Sequence, residues 1–287
     1  MIHTEKAYAK INLFLDVLSK REDGYHEIGT VFQTVDAHDV LDAEVREDGV
    51  VKLTYSTPQE YPVESDLVYR AAKALQIYSQ STSGVNLHLH KTLPLGAGLG
   101  GGSADAAATL RILNRIWKLQ LSPATLSEIG AKLGADVPFL VQGGTAIATG
   151  IGEKLKPLPP AKLPTGAVVV IATPLCAVPT KAAYAGIKPS GTTRWNGFLT
   201  QLPDVLQPVD PSFNLFNKFE ESVLPQYPQI STLRDEFLRL GALRVLMSGS
   251  GASVFAFFDG EISAKTALLK LHATIRFGTV ARFVDFC

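Results

Sequence analysis

Apolar and polar positions alternate along most of the chain up to Leu89. The alternation predicts strands over Ile2–Tyr8, Ile11–Leu18, Val31–Val35, Val40–Val45, Val50–Tyr55 and Val85–Leu89. Asp23-Gly24 and Asp48-Gly49 are turn signals between them. A helical period interrupts at Leu67–Tyr78, with Ala71, Ala72 and Leu75 on its apolar stripe and Ser65 or Asp66 as its cap. A second helix begins near Ser103 and carries Ala106, Ala107, Leu110, Leu113 and Trp117 on one face. A third has Ser122 as N-cap, Pro123 in its first turn, Leu126, Ile129 and Leu133 as its stripe and Gly134 as its stop.

The later pattern mixes both periods. Strands are predicted at Thr145–Thr149, Ala167–Ala172, Leu243–Met247, Val254–Phe258 and Thr279–Val284. A helical region ends near Leu224, and helices are predicted at Ser231–Leu240 and Ile262–His272. Lys154–Pro164 holds four prolines and no period, so it reads as a linker between domains at 1–156 and 157–287. Strands and helices do not alternate strictly, which makes the class α+β.

Composition narrows the function. The chain has 287 residues, 46% hydrophobic and 19% charged, enough to bury a substantial core. Lys+Arg and Asp+Glu are both 27, which argues against a nucleic-acid surface but leaves room for a local pocket for one nucleotide. The two cysteines, Cys176 and Cys287, have no metal-ligand spacing and suit a reducing cytoplasm. The start lacks an apolar signal region, and the longest apolar run falls far short of the ~20 residues a membrane helix needs. A cytoplasmic protein without membrane or nucleic-acid partners is expected, as a monomer or homodimer.

The densest chemical signal is the stretch Pro94, Leu95, Gly96, Ala97, Gly98, Leu99, Gly100, Gly101, Gly102, Ser103, Ala104. Five glycines here precede a helix start. Glycine lets a ligand approach the backbone, and a helix N-terminus offers unpaired N–H groups and positive dipole. That combination cradles phosphate. No Gly-Lys-Ser/Thr follows, so it is not a Walker loop. Gly96, Gly98 and Gly101 match G-x-G-x-x-G, but the next element is a helix rather than a strand, so a dinucleotide fold does not follow.

Other positions are weaker alone. Lys10 and Asn12 share one face of a strand; an isolated Lys is usually a solvated side chain. Asp136 follows a helix stop, where a turn residue is the commoner role, yet its carboxylate could accept a hydroxyl proton in phosphoryl transfer. Ser248, Gly249 and Ser250 form a second glycine loop, which serves equally as a hairpin turn or a ligand contact. His88 and His90 alternate with Leu87 and Leu89 and read as the solvated face of a half-buried strand, not metal ligands.

Taken together, Ala7-x-Ala-Lys-Ile-Asn-Leu13, Pro94–Ala106 and Ser248-Gly-Ser-Gly-Ala252 resemble, in order and spacing, the three motifs of the GHMP small-molecule kinases. Arg21-Glu-Asp-Gly-Tyr-His26, Gly134-Ala-Asp-Val-Pro138 and Glu153-x-Leu-x-Pro157 bring the likeness closest to the branch that phosphorylates a cytidine diphosphate-linked polyol in non-mevalonate isoprenoid synthesis. The resemblance implies a two-domain fold with an inter-domain cleft, and ATP and Mg²⁺ as cofactors. It implies Asp136 as base with Lys10 beside it, and residues 94–104 around the ATP phosphates. It implies Asp66 and Leu67 at the adenine. The cytidine end would fall to Asn12, Tyr25, His26 and Tyr184, with Tyr25 and Tyr184 facing each other across the cytosine, and Ser248–Ser250 would also meet substrate. Other GHMP kinases, acting on homoserine, mevalonate or a sugar, and a silent nucleotide sensor are the alternatives. Three positions depart from the family pattern. Tyr8 stands for Pro, Asp66 stands for an Asn and as a carboxylate cannot donate to adenine, and Lys218 interrupts an Asn-Asp-Leu-Glu pattern.

Overall fold

A computed structural model describes residues 1–59, 61–206, 209 and 215–285; Cys287 lies outside them. The chain forms two compact units interleaved along the sequence. The first comprises Met1–Ala9, His38–Leu95 and Gly100–Gly143. The second comprises Lys10–Ala37, Gly96–Leu99 and Gly144–Cys287.

Two long strands run through both units: β1 (Ile2–Lys20) and β2 (His26–Arg46). Each is continuous where the alternation predicts two shorter strands. Both breaks contain a polar residue that is buried instead of exposed, Lys10 in β1 and Asp39 in β2. Asn12, Thr30, Gln33 and Thr34 along the same strands also lie inside the protein. Buried polar groups need partners, and the residues that supply them make up much of the site described below.

In the first unit, the second half of β2 pairs antiparallel with β4 (Gly84–His90), and β3 (Val51–Tyr55) pairs parallel with β4. Four helices complete it: α1 (Leu67–Ser79), α2 (Gly101–Ile116), α3 (Pro123–Ala131) and α4 (Val137–Gln142). Ala71, Ala72 and Leu75 of α1 and Ala106, Ala107, Leu110 and Leu113 of α2 are buried, as their spacing predicts. The Ser122 hydroxyl accepts from Thr125 N and caps α3, with Pro123 in its first turn. Helix α2 starts at Gly101, two residues before the predicted Ser103. Glycine disfavours helix by about 1 kcal/mol, so the pattern moves the start past the glycines. Both glycines nevertheless join the helix; Gly101 lies close against Lys91, where a Cβ would sit 3.3 Å from its Nζ. His88 and His90 are half-exposed on β4. His90 Nε2 pairs with Asp42 at 2.9 Å and His88 Nδ1 with Thr54 Oγ1 at 2.8 Å.

In the second unit, the first half of β2 pairs with β5 (Thr145–Thr149), and β5 with β6 (Lys154–Leu158), both antiparallel. Strand β6 occupies the stretch expected to be a linker. Among the described residues it pairs only with β5, so it is an edge strand, where Pro157 and its missing N–H are tolerated. A four-stranded antiparallel sheet runs in the order β11 (Ile275–Ala281), β7 (Val168–Pro174), β10 (Val254–Phe258), β9 (Arg244–Met247). Every residue of β7 and β10 is buried. Both therefore read as unbroken apolar runs instead of alternating ones. Helices α8 (Pro228–Arg239) and α9 (Glu261–Leu271) pack on it through Ile230, Leu233, Phe237, Ala264 and Ala267. The remaining elements are α5 (Thr180–Ala185), α6 (Thr193–Val205), β8 (Phe216–Asn217), which pairs parallel with β1, and α7 (Glu220–Val223). Among the described residues no helix is long and apolar enough to cross a membrane.

Candidate functional site

The glycine-rich loop is held open by its own chemistry. Gly96, Gly98 and Gly100 adopt φ of +61°, +78° and +69°, the left-handed region that side chains rarely enter. Gly98 is constrained twice, since a Cβ there would lie 2.0 Å from the Ser248 carbonyl oxygen. Ser248 Oγ donates to Gly98 O at 2.9 Å, Ser253 N to Ala97 O at 3.1 Å, and Lys10 N to Leu99 O at 3.0 Å. The second glycine loop is thus the lacing of the first, a role the hairpin reading does not contain.

Lys10 and Asn12 stand on the same face of β1, as the alternation requires. Lys10 is only 4% exposed. Its Nζ donates to Asn12 Oδ1 at 2.9 Å and lies 5.2 Å from the Phe32 ring centre. The same Oδ1 accepts from Gly249 N at 3.0 Å, while Asn12 Nδ2 donates to Thr30 Oγ1 at 2.8 Å. Thr30 passes the chain on to Phe14 O at 2.6 Å. Asn12 is therefore a hub that fixes the Lys10 ammonium, and Thr30 is a supporting residue that sequence spacing does not reveal. Asn217, the first residue of the interrupted pattern, is a second support. Its Nδ2 donates to Met247 O at 2.6 Å and Gly249 O at 2.8 Å, holding the Ser248–Ser250 loop from behind. Lys218 follows it with its N–H on Leu15 O and its ammonium on Glu221, so the interrupted motif keeps its asparagine in register. Ser250 Oγ lies 3.2 Å from Thr180 Oγ1 at the start of α5.

The aromatic residues of the expected cytidine end lie on the turn after β1 and on α5. Tyr184 on α5 stacks on His26, with ring centres 4.9 Å apart and planes 20° apart, and meets Phe219 edge-on at 4.7 Å. Tyr25 is 61% exposed. Its turn is stiffened by Arg21, which reaches Asp23 at 2.8 Å and Glu27 at 3.2 Å. Burial, with the Lys20 charge adding to it, holds the His26 imidazole below its ordinary value, so the ring is neutral at pH 7.

In the first unit, Gly100–Ala104 supply the N-cap and first turn of α2. Asp136 is the N-cap residue of α4, but its carboxylate makes no capping bond. Helix α4 has Pro138 in its first turn, and its six residues are too few for a helical period to show in the sequence. Asp66 caps α1, its Oδ1 accepting from Val68 N at 2.8 Å. Its Oδ2 accepts from Tyr61 OH at 2.8 Å and Tyr55 OH at 3.1 Å. Burial and the Asp66 carboxylate push both phenols above their usual range. A carboxylate at this position is explained by these two phenol donors, which an amide oxygen would satisfy less well.

Known proteins share the sequence and the fold. The family profile "GHMP kinases N terminal domain" matches residues 66–144, and "GHMP kinases C terminal" matches residues 208–276. A 4-diphosphocytidyl-2-C-methyl-D-erythritol kinase from Thermodesulfovibrio yellowstonii is 40% identical over 271 residues, covering 92% of this chain and 93% of the relative. A crystal structure of 4-(cytidine 5'-diphospho)-2C-methyl-D-erythritol kinase superposes with a TM-score of 0.80 at 32% identity, covering 98% of this chain and 99% of that one. The homoserine kinase of Cytophaga hutchinsonii superposes at 0.76 with 18% identity, covering 99% and 95%, and shares the fold. The motif residues, the α+β architecture and these full-length likenesses converge: the chain is a GHMP kinase and belongs to the 4-diphosphocytidyl-2-C-methyl-D-erythritol kinase family.

Proposed function

We propose that this small-molecule kinase transfers the γ-phosphate of ATP to the 2-hydroxyl of 4-diphosphocytidyl-2-C-methyl-D-erythritol, releasing ADP. What carries the reading is that relatives bearing this name align over 92% and 94% of the chain at 40% identity. The homoserine kinase likeness, at 18% identity, supports the fold and no change of acceptor.

In this proposal the backbone N–H groups of Gly96–Ser103 hold the ATP phosphates. Among the described residues no cluster of His, Cys, Asp and Glu could hold a metal ion, so Mg²⁺ would be held through the ATP phosphates and would supply neutralisation of their charge. Asp136 accepts the proton of the 2-hydroxyl as its oxygen bonds to the γ-phosphorus and the bridging oxygen leaves with ADP. The Lys10 ammonium, fixed by Asn12, offsets negative charge on the moving phosphoryl group. His26, Tyr184 and Tyr25 hold the cytidine, where stacking on aromatic rings is worth ~1–3 kcal/mol per base. Asp66 and Leu67 border the adenine, with Asp66 acting through the cap and phenols it holds.

The test is ADP release with the cytidyl substrate, with the same substrate stripped of cytidine, and with Asp136→Asn. Turnover should require the cytidyl group, and Asp136→Asn should lower kcat by about 10²–10⁴-fold with KM nearly unchanged. Phosphorylation of the stripped substrate at an equal rate would refute the acceptor, and full turnover by Asp136→Asn would refute the base.

A further inference from the structure

A buried ion cluster lies outside the residues assigned above. Lys91, directly after β4, places its Nζ 2.5 Å from Asp39 Oδ2 and 2.6 Å from Asp105 Oδ2. The side chains are 9%, 0% and 3% exposed. Two carboxyl groups share one ammonium, and Asp105 Oδ1 has no hydrogen-bond partner among the described residues. Burial pushes the Asp105 carboxyl up; Lys91 pulls it back, but Asp39 adds to the rise and it reaches about 8. Such a cluster is a poor source of stability, because buried charge is costly even when paired.

Its connections give it another role. Asp39 Oδ1 accepts from Thr92 N at 2.5 Å and Leu93 N at 2.7 Å, the two residues that lead into Pro94. Asp105 belongs to α2, just past Ala104. Gly101 lies over the ammonium so closely that a Cβ there would be 3.3 Å from Lys91 Nζ. One buried cation therefore ties the chain before the glycine-rich loop to the helix after it.

We infer that Lys91, gripped by Asp39 and Asp105, is a positioning residue for nucleotide binding, clasping both ends of the phosphate loop and setting its span before ATP arrives. The inference rests on the reading of residues 94–104 as the ATP phosphate loop. A loop whose ends are fixed in advance loses less freedom on binding, and the saving appears as affinity for the nucleotide alone.

The clasp is tested with Asp105→Ala and Asp105→Asn. The first cuts the link to α2 but leaves a neutral Lys91–Asp39 pair, so the fold survives. The second keeps an oxygen for Lys91. Calorimetric titration with a non-hydrolysable ATP analogue and Mg²⁺ should show Kd raised at least about tenfold in Asp105→Ala and within about threefold of wild type in Asp105→Asn. The KM of the cytidyl acceptor should stay within about twofold in both. If a folded Asp105→Ala protein binds the analogue like wild type, or both substrates weaken together, the clasp is refuted. Should that variant not fold, Asp105→Leu replaces it: the apolar side chain fills the same space but cannot hold Lys91, and unchanged analogue binding by the folded protein would refute the clasp equally. Analogue binding is read without acceptor, so a wild-type protein that binds it yet spares the cytidyl substrate overturns the acceptor and not the clasp.

Discussion

The Oδ1 atom of Asn12 lies 2.9 Å from the Lys10 ammonium and accepts a second bond from the Gly249 N–H. One amide oxygen thus fixes a buried cation and a turn of the second glycine loop together. Asn12→Ala removes the bond that each donor makes to this oxygen, at ~0.5–1.5 kcal/mol for each hydrogen bond lost. We expect kcat to fall by about 10–100-fold with smaller changes in either KM, read by steady-state ADP release. A variant that altered only KM would make Asn12 a binding residue instead.

Gly98 tolerates no side chain, because its φ of +78° and the Ser248 carbonyl both exclude one. Gly98→Ala should move the loop and raise the KM for ATP by about tenfold or more. Ser248→Ala removes only the hydroxyl bond to Gly98 O and should cost ~0.5–1.5 kcal/mol of nucleotide affinity. Reversal of that order, with Ser248→Ala the more damaging, would show the hydroxyl meeting ligand directly.

Tyr184 and His26 should govern the cytidine end alone. Tyr184→Ala is expected to raise the KM of the cytidyl acceptor by about 5–150-fold and to spare ATP, with Tyr184→Phe close to wild type. Because burial holds His26 below its ordinary value of 6.5, the acceptor KM should be flat above pH 7 and rise only at pH values below that ordinary value. A rise centred above pH 7 would place the titration elsewhere.

Asp105 makes stability depend on pH. In the unfolded chain the carboxyl releases its proton near 3.8, whereas the folded protein holds it to about 8. The folded state binds the extra proton between those values, so stability drops as pH rises through that window and levels off above it. Lys91 is held above its ordinary 10.5, burial being outweighed by Asp105 and Asp39, and its contribution persists throughout. Asp105→Asn should therefore gain on wild type as pH rises from 5 to 8, by up to about 1.4 kcal/mol per unit, measured by denaturant unfolding. A gap independent of pH would show that Asp105 ionises as in water.

The sequence carries the helices through their caps and stripes, and the phosphate loop through its glycines. Ser122, Pro123 and the Ala71–Leu75 stripe stand where their chemistry requires. Strand continuity at Lys10 was hidden, because a buried lysine looks like a solvated one until Asn12 and Phe32 are placed around it. Thr30 and Lys91 carry no local signal, and Asn217 only that of an interrupted family pattern. Their partners lie 18, 30 and 52 positions away, separations that only the folded chain closes. The pairing of Tyr184 with His26 depends likewise on where α5 sets down its side chain, which no pattern within Thr180–Ala185 encodes.

The interleaving of the two units has a genetic consequence. The backbone passes from one to the other at Ala9–Lys10, Ala37–His38, Leu95–Gly96, Leu99–Gly100 and Gly143–Gly144. No single break in the gene can separate them, because Lys10–Ala37 is encoded inside the stretch that builds the first unit. Neither half could have been borrowed whole from another protein by a simple fusion, and a split version of this kinase, cut at any one loop, would return two incomplete pieces that must find each other before either is finished.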